Sequence, residues 1–417
     1  MRCPMLCAAL FLILLPVGSI ASPIERPVIE VGPGEDLQAA IDAASEGAIL
    51  QLAAGTYTAT PLPYDEPTCG NCQDLNTPVK ATTGFVIRDK SLTVRGAGRD
   101  ETVLVTNAGY GVYIEGRAWV SISGLQVTGG VRDADGQATD GAVVAKDAVV
   151  HIEDCLLGPN PTPKELLDQV VVGICGAVGR EGALLSVWNT EIRGNSWDGV
   201  ALYRGAQADL YGLTISEGRG AGIGITWDAD ADVTTCIVTE YWKGIGTFGT
   251  SVAKLRNCLV HHCRGWGIIA SGESTMDARN CTVAYNGNVG IAKWNPEAHM
   301  TLKNSISAFN GTVDQWVAPR VGLWWNDDGK SAPSVSHCLF YGNTDGNFLF
   351  GYEGTEDKSW TLEGQDGIIV ADPLFVSDTD LHLQSGSPAT DAGDPVSKDL
   401  DGSPADLGAY GGKWRMW

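Results

Sequence analysis

A short phrase recurs at a nearly constant step through the middle of this chain, between residues 189 and 310. It begins with asparagine in four of its six copies, which start at Asn189, Gly212, Thr235, Asn257, Asn280 and Asn304. Successive copies are 22 to 24 residues apart. A glycine followed by valine or isoleucine keeps the same step, at Gly199, Gly222, Gly244, Gly267 and Gly290. A repeat of this kind indicates one supersecondary unit that stacks on copies of itself.

The pattern inside each copy is that of short strands. Apolar residues alternate with polar or small ones, and no helical spacing of apolar residues competes with that alternation. Three short strands and three turns use up 22 to 24 residues, so we expect one coil of a parallel β-helix per copy, with coils about 4.8 Å apart. The first residue of the phrase is mostly of a type that tolerates a left-handed backbone, and we expect a sharp bend there.

Two columns of residues are then predicted to face the core, one on each side of that bend. The first is Ile152, Val187, Leu210, Val233, Leu255, Ala278 and Leu302, and the second is Leu125, Cys155, Thr190, Leu213, Cys236, Cys258, Cys281, Ser305 and Cys338.

Both ends of the chain carry motifs that accompany such repeats. Residues 36–57 read as a short helix followed by a strand ending in Gly-Thr-Tyr, and residues 371–410 contain Ala-Asp-Pro-Leu-Phe and Asp-Leu-Gly-Ala-Tyr. With the repeats, they resemble the secreted right-handed parallel β-helix proteins of the pectate-lyase-like superfamily. The resemblance implies a single all-β domain over residues 22–417, with a capping helix at 36–45 and a closing segment at 371–417. It implies no single activity, because that superfamily holds lyases, glycoside hydrolases, epimerases and non-catalytic surface proteins.

The N-terminus and the composition predict where the protein works. Residues 1–21 read as a secretory signal peptide, because Arg2 precedes an apolar run that ends in a small-residue cleavage pattern. The run is too short to span a membrane. With 50 acidic against 28 basic residues, the surface repels polyanions, so nucleic acid is not an expected partner. We expect a monomer without a membrane span in the mature chain, either secreted, periplasmic or at the cell surface.

The cysteines fall into two groups. Cys69 and Cys72 stand in a polar insertion between residues 57 and 80, where the spacing would suit a metal or redox pair in a cytosolic protein. After a signal peptide, a disulfide that closes a small loop is the favoured interpretation. The cysteines of the second inner column are expected to act as small buried apolar residues.

The strands that begin with Gly-Ile are predicted to place aromatic residues on the outside of the helix. If the residue directly after the glycine points inward, those two and four positions after the glycine point outward. Sugar rings stack on aromatic platforms while their hydroxyls bond flanking amides and carboxylates. The predicted glycan-binding residues are Tyr203, Arg204, Trp227, Asp228, Phe248, Trp294, Trp324 and Asp327. The alternative is that these aromatic residues pack under the loops inserted at residues 131–139, 159–169 and 311–320.

Four residues just before or at the start of these strands are candidate catalytic groups. Arg219, Tyr241 and Arg264 lie on successive coils, with Lys243 close to them. A uronate lyase needs a cation to neutralise a carboxylate and a base to remove the neighbouring C–H proton. An ordinary solvated turn surface would supply the same residue types.

Two other kinds of site receive less support. Glycosidases need two carboxylates that face one bond, and Asp198, Asp228 and Asp230 fall in no column that pairs them. In the closing segment, Asp399, Asp401 and Asp406 have spacings that could hold Ca²⁺. Asp-Gly pairs also make ordinary turns.

The sequence therefore predicts an exported β-helix protein that binds a polysaccharide along one long face. Lyase action on that glycan is the favoured activity and glycoside hydrolysis the less favoured one. A non-catalytic cell-surface or adhesion protein is the alternative.

Overall fold

The computed structural model describes residues 26–162, 172–313, 318–327, 333–351 and 356–414. The predicted signal peptide at residues 1–21 lies outside the described residues, as does part of each of the last two inserted loops. Within these limits the chain forms three sheets of twelve strands, and each coil contributes one strand to each sheet. All strand pairs are parallel except the hairpin of Leu62–Glu66 with Val79–Arg88.

Sheet 1 holds the strands that lead into the recurring phrase. Its strands are Val28–Val31, Ile49–Leu52, Leu92–Arg95, Trp119–Ser123, Val149–Glu153, Leu184–Trp188, Gln207–Tyr211, Asp230–Thr234, Val252–Arg256, Thr275–Arg279, His299–Lys303 and Ser334–Ser336.

Sheet 2 follows directly after the phrase. Its strands are Gly55–Thr58, Thr102–Val105, Gln126–Thr128, Leu156–Leu157, Glu191–Arg193, Thr214–Ser216, Ile237–Thr239, Leu259–His261, Thr282–Ala284, Ile306–Ala308, Leu339–Tyr341 and Ile369–Val370.

Sheet 3 holds the glycine-led strands. Its strands are Leu62–Glu66, Val79–Arg88, Tyr110–Glu115, Gly141–Lys146, Cys175–Arg180, Val200–Leu202, Ala221–Ile225, Lys243–Thr247, Trp266–Ala270, Ile291–Lys293, Leu323–Trp325 and Phe348–Phe350.

Both predicted inner columns are confirmed. In sheet 1, Val187 pairs with Leu210 and Leu210 with Val233, and the column continues in register to Leu302. Every member of both columns is buried. The seven cysteines at positions 155–338 are unpaired and buried, so those of the second column pack as small apolar residues.

The bend between sheets 1 and 2 is made by left-handed backbone, as predicted. All nine residues at this corner have φ between 47° and 64°, and they are Gly124, Asp154, Asn189, Gly212, Thr235, Asn257, Asn280, Asn304 and His337. A side-chain amide or carboxylate compensates for this conformation locally, which explains the recurring asparagine.

The N-terminal end is capped by a helix at Leu37–Ala43, within the predicted range of 36–45. Asp36 is its N-cap and accepts a hydrogen bond from the Ala39 N–H. Leu37 and Ile41 are buried against the first coils. The helix thus covers a strand edge that would otherwise be open.

The insertion after the first coil lies against the outside of sheet 3. The structure joins Cys69 and Cys72 by a disulfide, as predicted. Side chains of the insertion pack with Tyr110, Tyr113 and Tyr203 in a second apolar cluster outside the main core.

The closing segment runs back along the outside of sheet 2. Phe375, Leu381 and Leu407 pack there against strand residues such as Leu259 and Ile306. Trp414 in this segment is 62% exposed. Trp417 lies outside the described residues. None of the helices in the described ranges is long and apolar enough to cross a membrane.

Candidate functional site

The outer face of sheet 3 carries most of the predicted site residues. Strand pairing there joins Ala221 to Lys243 and Ile223 to Ile245. The glycines between them, Gly222 and Gly244, are not paired with each other. As a result the residue before the glycine also points outward, in addition to the two columns that the sequence predicts. The earliest coils differ from the prediction, because Val143 pairs with Ala177 and packs in the main core. Gly141 pairs with Cys175 and with Tyr110, which each directly precede a glycine, so the phrase on this coil begins one residue after Gly141.

The N-terminal part of this face is sealed by charged residues. The Arg180 guanidinium donates to Tyr110 Oη and Thr139 Oγ1, both at 3.1 Å, and to the carbonyl of Thr68 at 2.9 Å. Glu66 lies 3.8 Å from it and also binds Lys146. The Arg180 and Glu66 side chains are fully buried. No polymer reaches this end of the face without displacing the hairpin.

Tyr203 and Arg204 belong to that sealed end. Tyr203 is buried in the apolar cluster beneath the insertion, and burial raises its pKa well above the usual value. Arg204 donates to the carbonyls of Cys72 and Gln73 and stacks 4.0 Å above the Trp227 ring. Both residues therefore hold the insertion in place, which is the packing alternative that the sequence left open.

Trp227 and Asp228 lie at the edge of sheet 3, where the strand turns toward sheet 1. Trp227 is half-buried with a left-handed backbone, and among the described residues its Nε1 has no hydrogen-bond partner. Asp228 is exposed and accepts a hydrogen bond from the Gly205 N–H at 3.0 Å. These two residues line a surface depression with Glu273, so they remain accessible.

The C-terminal part of the face carries a ladder of aromatic rings. Trp266, Trp294 and Trp324 lie on successive coils with ring centroids 4.7 Å apart at each step. Trp324 is buried and donates from Nε1 to the Gly351 carbonyl, whereas Phe248 and Trp294 are half-buried. The rings that a sugar can reach are therefore Trp294 in the ladder and Phe248, which packs against the same cluster.

The Asp327 side chain is buried and forms an ion pair inside the protein. Its carboxylate pairs with Lys293 Nζ at 2.9 Å, and both side chains are 4% exposed. Lys293 also donates to the carbonyls of Pro296 and Asn326. An ion pair of this burial fixes the end of the strand and leaves little surface for a ligand.

The structure separates the four predicted catalytic residues. Tyr241 is fully buried in the main core, and burial raises its pKa well above the usual value. A hydroxyl that solvent does not reach cannot remove a proton from a polymer. Arg219 and Arg264 are exposed beside a depression that also contains Glu217 and Glu240. Arg264 donates to the carbonyls of Glu240 and Gly218.

Lys243 is the predicted catalytic residue that the structure places on the open face. Its Nζ lies 5.4 Å from the centre of the Phe248 ring and 5.3 Å from that of Trp266. Burial lowers the pKa of Lys243, and the charge of Asp198 opposes that shift. The ammonium group thus stands at the start of the aromatic ladder.

Asp198 completes this group, although the sequence interpretation gave it no partner. Its carboxylate accepts a hydrogen bond from the Ala221 N–H at 2.6 Å, and Ala221 pairs with Lys243 on the next coil. Burial raises the pKa of Asp198 to about 7, while the Ala221 bond and the charge of Lys243 lower it. A Cβ at Gly224 would lie 3.0 Å from the Asp198 Oδ2, so the glycine keeps this part of the floor open.

A signal for this pair was present in the sequence. Asp198, Ala221, Lys243 and Trp266 each directly precede a glycine of the recurring Gly-Ile phrase. Strict alternation predicts that the residue before the glycine points inward, like the residue after it. The unpaired glycine breaks this alternation, so these four residues point outward together.

The three aspartates of the closing segment act as turn and backbone acceptors. Asp399 accepts from the N–H groups of Asp406 and Gly412, Asp401 from Ser403, and Asp406 from Asp391. Among the described residues, no group of three or more histidine, cysteine or acidic residues is arranged to hold a metal ion. The Ca²⁺ prediction therefore gains no support from this geometry.

Comparisons with known proteins agree with the architecture. Residues 173–356 match the family model described as a right-handed beta helix region. The structure of pectate lyase Pel9A superposes with a TM-score of 0.51 at 15% identity, covering 93% of this chain and 97% of that one. The A-module of the mannuronan C-5 epimerase AlgE4 of Azotobacter vinelandii gives 0.41 at 13% identity, over 76% and 83% of the two chains.

At these identities the likeness concerns the fold alone. No curated protein matches the sequence. The recurring phrase, the three parallel sheets and the family match together lead to one assignment. The described part of this chain folds as a right-handed parallel β-helix.

Proposed function

We propose that this protein binds a uronate-containing polysaccharide along the outer face of sheet 3 and cleaves it by β-elimination. The observation that carries the proposal is the position of Lys243 between Asp198 and the aromatic ladder. The ladder supplies platforms for sugar rings on one side of Lys243. The sealed N-terminal end of the face limits how far the chain of sugars extends on the other side.

Lys243 would act as the base. Its lowered pKa increases the fraction of neutral amine near pH 7, and a neutral amine can accept a proton. Lys243 Nζ takes the proton on the carbon next to the uronate carboxylate. The electron pair of that C–H bond forms a carbon–carbon double bond, the bond to the glycosidic oxygen breaks, and that oxygen takes a proton from water. Asp198 is a positioning residue that acts through Lys243, because its charge raises the pKa of Lys243 and so limits the lowering that burial causes.

The uronate carboxylate also needs a cation, since proton removal builds negative charge on it. Arg219 is the candidate. Arg219 is exposed and lies two residues before Ala221. Ala221 lies between Asp198 and Lys243, because its N–H donates to Asp198 and it pairs with Lys243 on the next coil. Two residues span at most about 7 Å, and we propose that the Arg219 side chain reaches a sugar held beside Lys243 from the bend that precedes the strand.

Hydrolysis of a glycosidic bond is less well supported. It needs two carboxyl groups within about 5–9.5 Å of each other. Asp198 supplies one, but on the described outer face of sheet 3 between residues 198 and 294 the next carboxylate is that of Asp228, at the edge of the sheet.

The test is incubation with a panel of uronate-containing and neutral polysaccharides. Unsaturated product, followed by its ultraviolet absorbance, is expected with at least one uronate polymer. Lys243→Ala should lower kcat/KM by at least about 100-fold. Lys398→Ala is the matched control, because Lys398 is an exposed lysine on the closing segment, and it should leave the rate unchanged.

Three results would contradict the proposal. New reducing ends without unsaturated product would indicate a hydrolase. Full activity in Lys243→Ala would remove the proposed base. Neither product nor glycan binding would favour a non-catalytic surface protein.

We also infer that the protein works outside the cytoplasm as a monomer. The predicted signal peptide at residues 1–21 and the Cys69–Cys72 disulfide support export. N-terminal sequencing of exported protein should find Ser22 as the first residue. Cytoplasmic retention of the full chain would contradict export.

A further inference from the structure

Sheet 1 differs from the other two sheets in what covers its outer face. The closing segment packs on sheet 2, and the insertion and the aromatic ladder occupy sheet 3. Sheet 1 strands instead expose large apolar side chains. They are Val28, Trp119, Val149, Leu184, Trp188, Tyr211 and Val252, which are 36–57% exposed.

The aromatic residues among them form a fixed platform. Trp188 pairs in register with Tyr211, and their ring centroids are 6.5 Å apart. The Trp188 Nε1 donates to Asp209 Oδ2 at 3.1 Å, and His151 packs edge-on against the indole at 5.0 Å. Both rings are 37% exposed although their positions are held.

A second apolar strip runs parallel to this platform. Trp119, Val149 and Leu184 pair in register at the other end of the same strands. Leu184 and Trp188 are four residues apart on one strand, which places the strips about 13 Å apart. A shallow depression of about 380 Å³ between them is lined by polar residues that include Ser186, Gln207, Asp209, Asp232 and Lys254.

We propose that this face, the Trp188–Tyr211 surface, binds a neutral polysaccharide. Flat rings with one bonded edge are suited to stacking with the apolar face of a sugar. The carboxylates of Asp209 and Asp232 in the adjoining depression accept hydrogen bonds from sugar hydroxyls. Binding at the Trp188–Tyr211 surface does not depend on cleavage at sheet 3. This surface can therefore hold the protein on a glycan matrix while the outer face of sheet 3 cleaves its substrate.

Charge selects this occupant over two others. Asp209, Asp230 and Asp232 line the depression against Lys254, while Arg256 and Arg279 farther along the face pair with Asp277. A polyanionic glycan would be repelled. A second copy of the chain, placed by a twofold axis, would bring the same carboxylates against each other.

The experiment measures depletion of the full-length mature protein by insoluble cellulose, β-1,3-glucan and mannan, with polygalacturonate as the anionic comparison. At least one neutral glycan should bind, with little dependence on salt. Trp188→Ala and Tyr211→Ala should each weaken binding, and the double variant should weaken it by about tenfold or more. Trp414→Ala is the control, since that exposed tryptophan lies on the closing segment.

The readouts keep this proposal separate from cleavage. Lys243→Ala should bind the neutral glycan as wild type does, and Trp188→Ala should keep wild-type kcat/KM on a soluble uronate substrate. Unchanged thermal unfolding of the single variants verifies their fold, and Tyr211→Ser provides a second test of the platform. Unchanged binding in the double variant, binding of polygalacturonate alone, or a dimer that Trp188→Ala dissociates would each overturn the proposal. So would absence of binding to all three neutral glycans.

Discussion

The outer faces of sheets 2 and 3 rest on the same repeating coil and are covered in different ways. Sheet 2 is covered by the end of its own chain, and the contacts are apolar side chains together with amide groups that donate to backbone carbonyls. Sheet 3 is covered at its N-terminal end by a hairpin that buried charges hold, and at its C-terminal end by aromatic rings. Between those two coverings lie Asp198 and Lys243.

The difference separates what the repeat determines from what it leaves free. Inner columns must be filled by small or apolar side chains on every coil, because each coil packs on the next. Outer positions have no such requirement, so they vary from coil to coil and carry charges and rings. A candidate site is therefore found where the outer pattern changes, and on sheet 3 it changes at Asp198 and Lys243.

The largest effect is expected where buried charges hold the covering of sheet 3. Arg180→Met would leave the Glu66 carboxylate buried with only Lys146 as a charged partner and would remove the bond to the Thr68 carbonyl. Losing one member of a buried ion pair typically costs about 3–5 kcal/mol. Denaturant unfolding should show that loss, and protease should cut the insertion at residues 57–80 faster.

Lys80→Met is its control. Lys80 pairs with Asp65 on the same hairpin, but the two side chains are 77% and 80% exposed, and such pairs contribute roughly 0–1 kcal/mol. Similar losses in both variants would show that charge burial does not distinguish the covering of sheet 3.

A smaller effect is expected on sheet 2. The Asn257 amide donates to the carbonyls of Ala409 at 2.9 Å and Gly411 at 2.5 Å, and its backbone is left-handed at φ 52°. Asn257→Ala should cost about 2 kcal/mol, because it leaves two carbonyls without that donor and keeps the backbone strain. Asn257→Gly should recover about 1 kcal/mol of this, because glycine relieves the strain alone.

Thr235 provides the comparison at the same corner. Its φ is also 52°, but its hydroxyl donates to the carbonyl of Thr234 rather than to the closing segment. Thr235→Ala should cost less than about 1 kcal/mol by thermal unfolding. An equal loss at both positions would mean that Asn257 acts only through its backbone conformation.

Inner positions could be predicted from the sequence, whereas outer positions could be predicted only in part. The spacing of the phrase was enough to predict the inner columns and the left-handed corner, because both depend on one coil meeting the next. Tyr241 was predicted as a surface base and is buried, since turn length decides whether a residue before the glycine faces the core. Tyr203 and Trp324 were predicted as platforms, but the insertion and the Gly351 carbonyl cover them, and those contacts join residues far apart in the sequence.

A pH-dependent effect is expected at the open position between the two coverings. Burial raises the pKa of Asp198 to about 7 in the folded chain, whereas in the unfolded chain it titrates near 3.9. The folded protein therefore binds the extra proton between about pH 4 and 7, so this group's contribution to stability falls as pH rises through that range and is constant above it. Asp198→Asn removes the penalty and still accepts from the Ala221 N–H.

We expect Asp198→Asn to unfold like wild type near pH 4 and to be more stable by up to about 4 kcal/mol at pH 8, as measured by denaturant unfolding at each pH. The wild-type protein measured at the same pH values is the comparison. The same Asp198→Asn variant should shift the acidic limb of kcat/KM to lower pH, since the lost charge raises the pKa of Lys243 in the wild type. Stability that gains nothing with pH, or an unmoved limb, would show that the carboxylate is an ordinary surface acid and that the face between the two coverings carries no tuned pair.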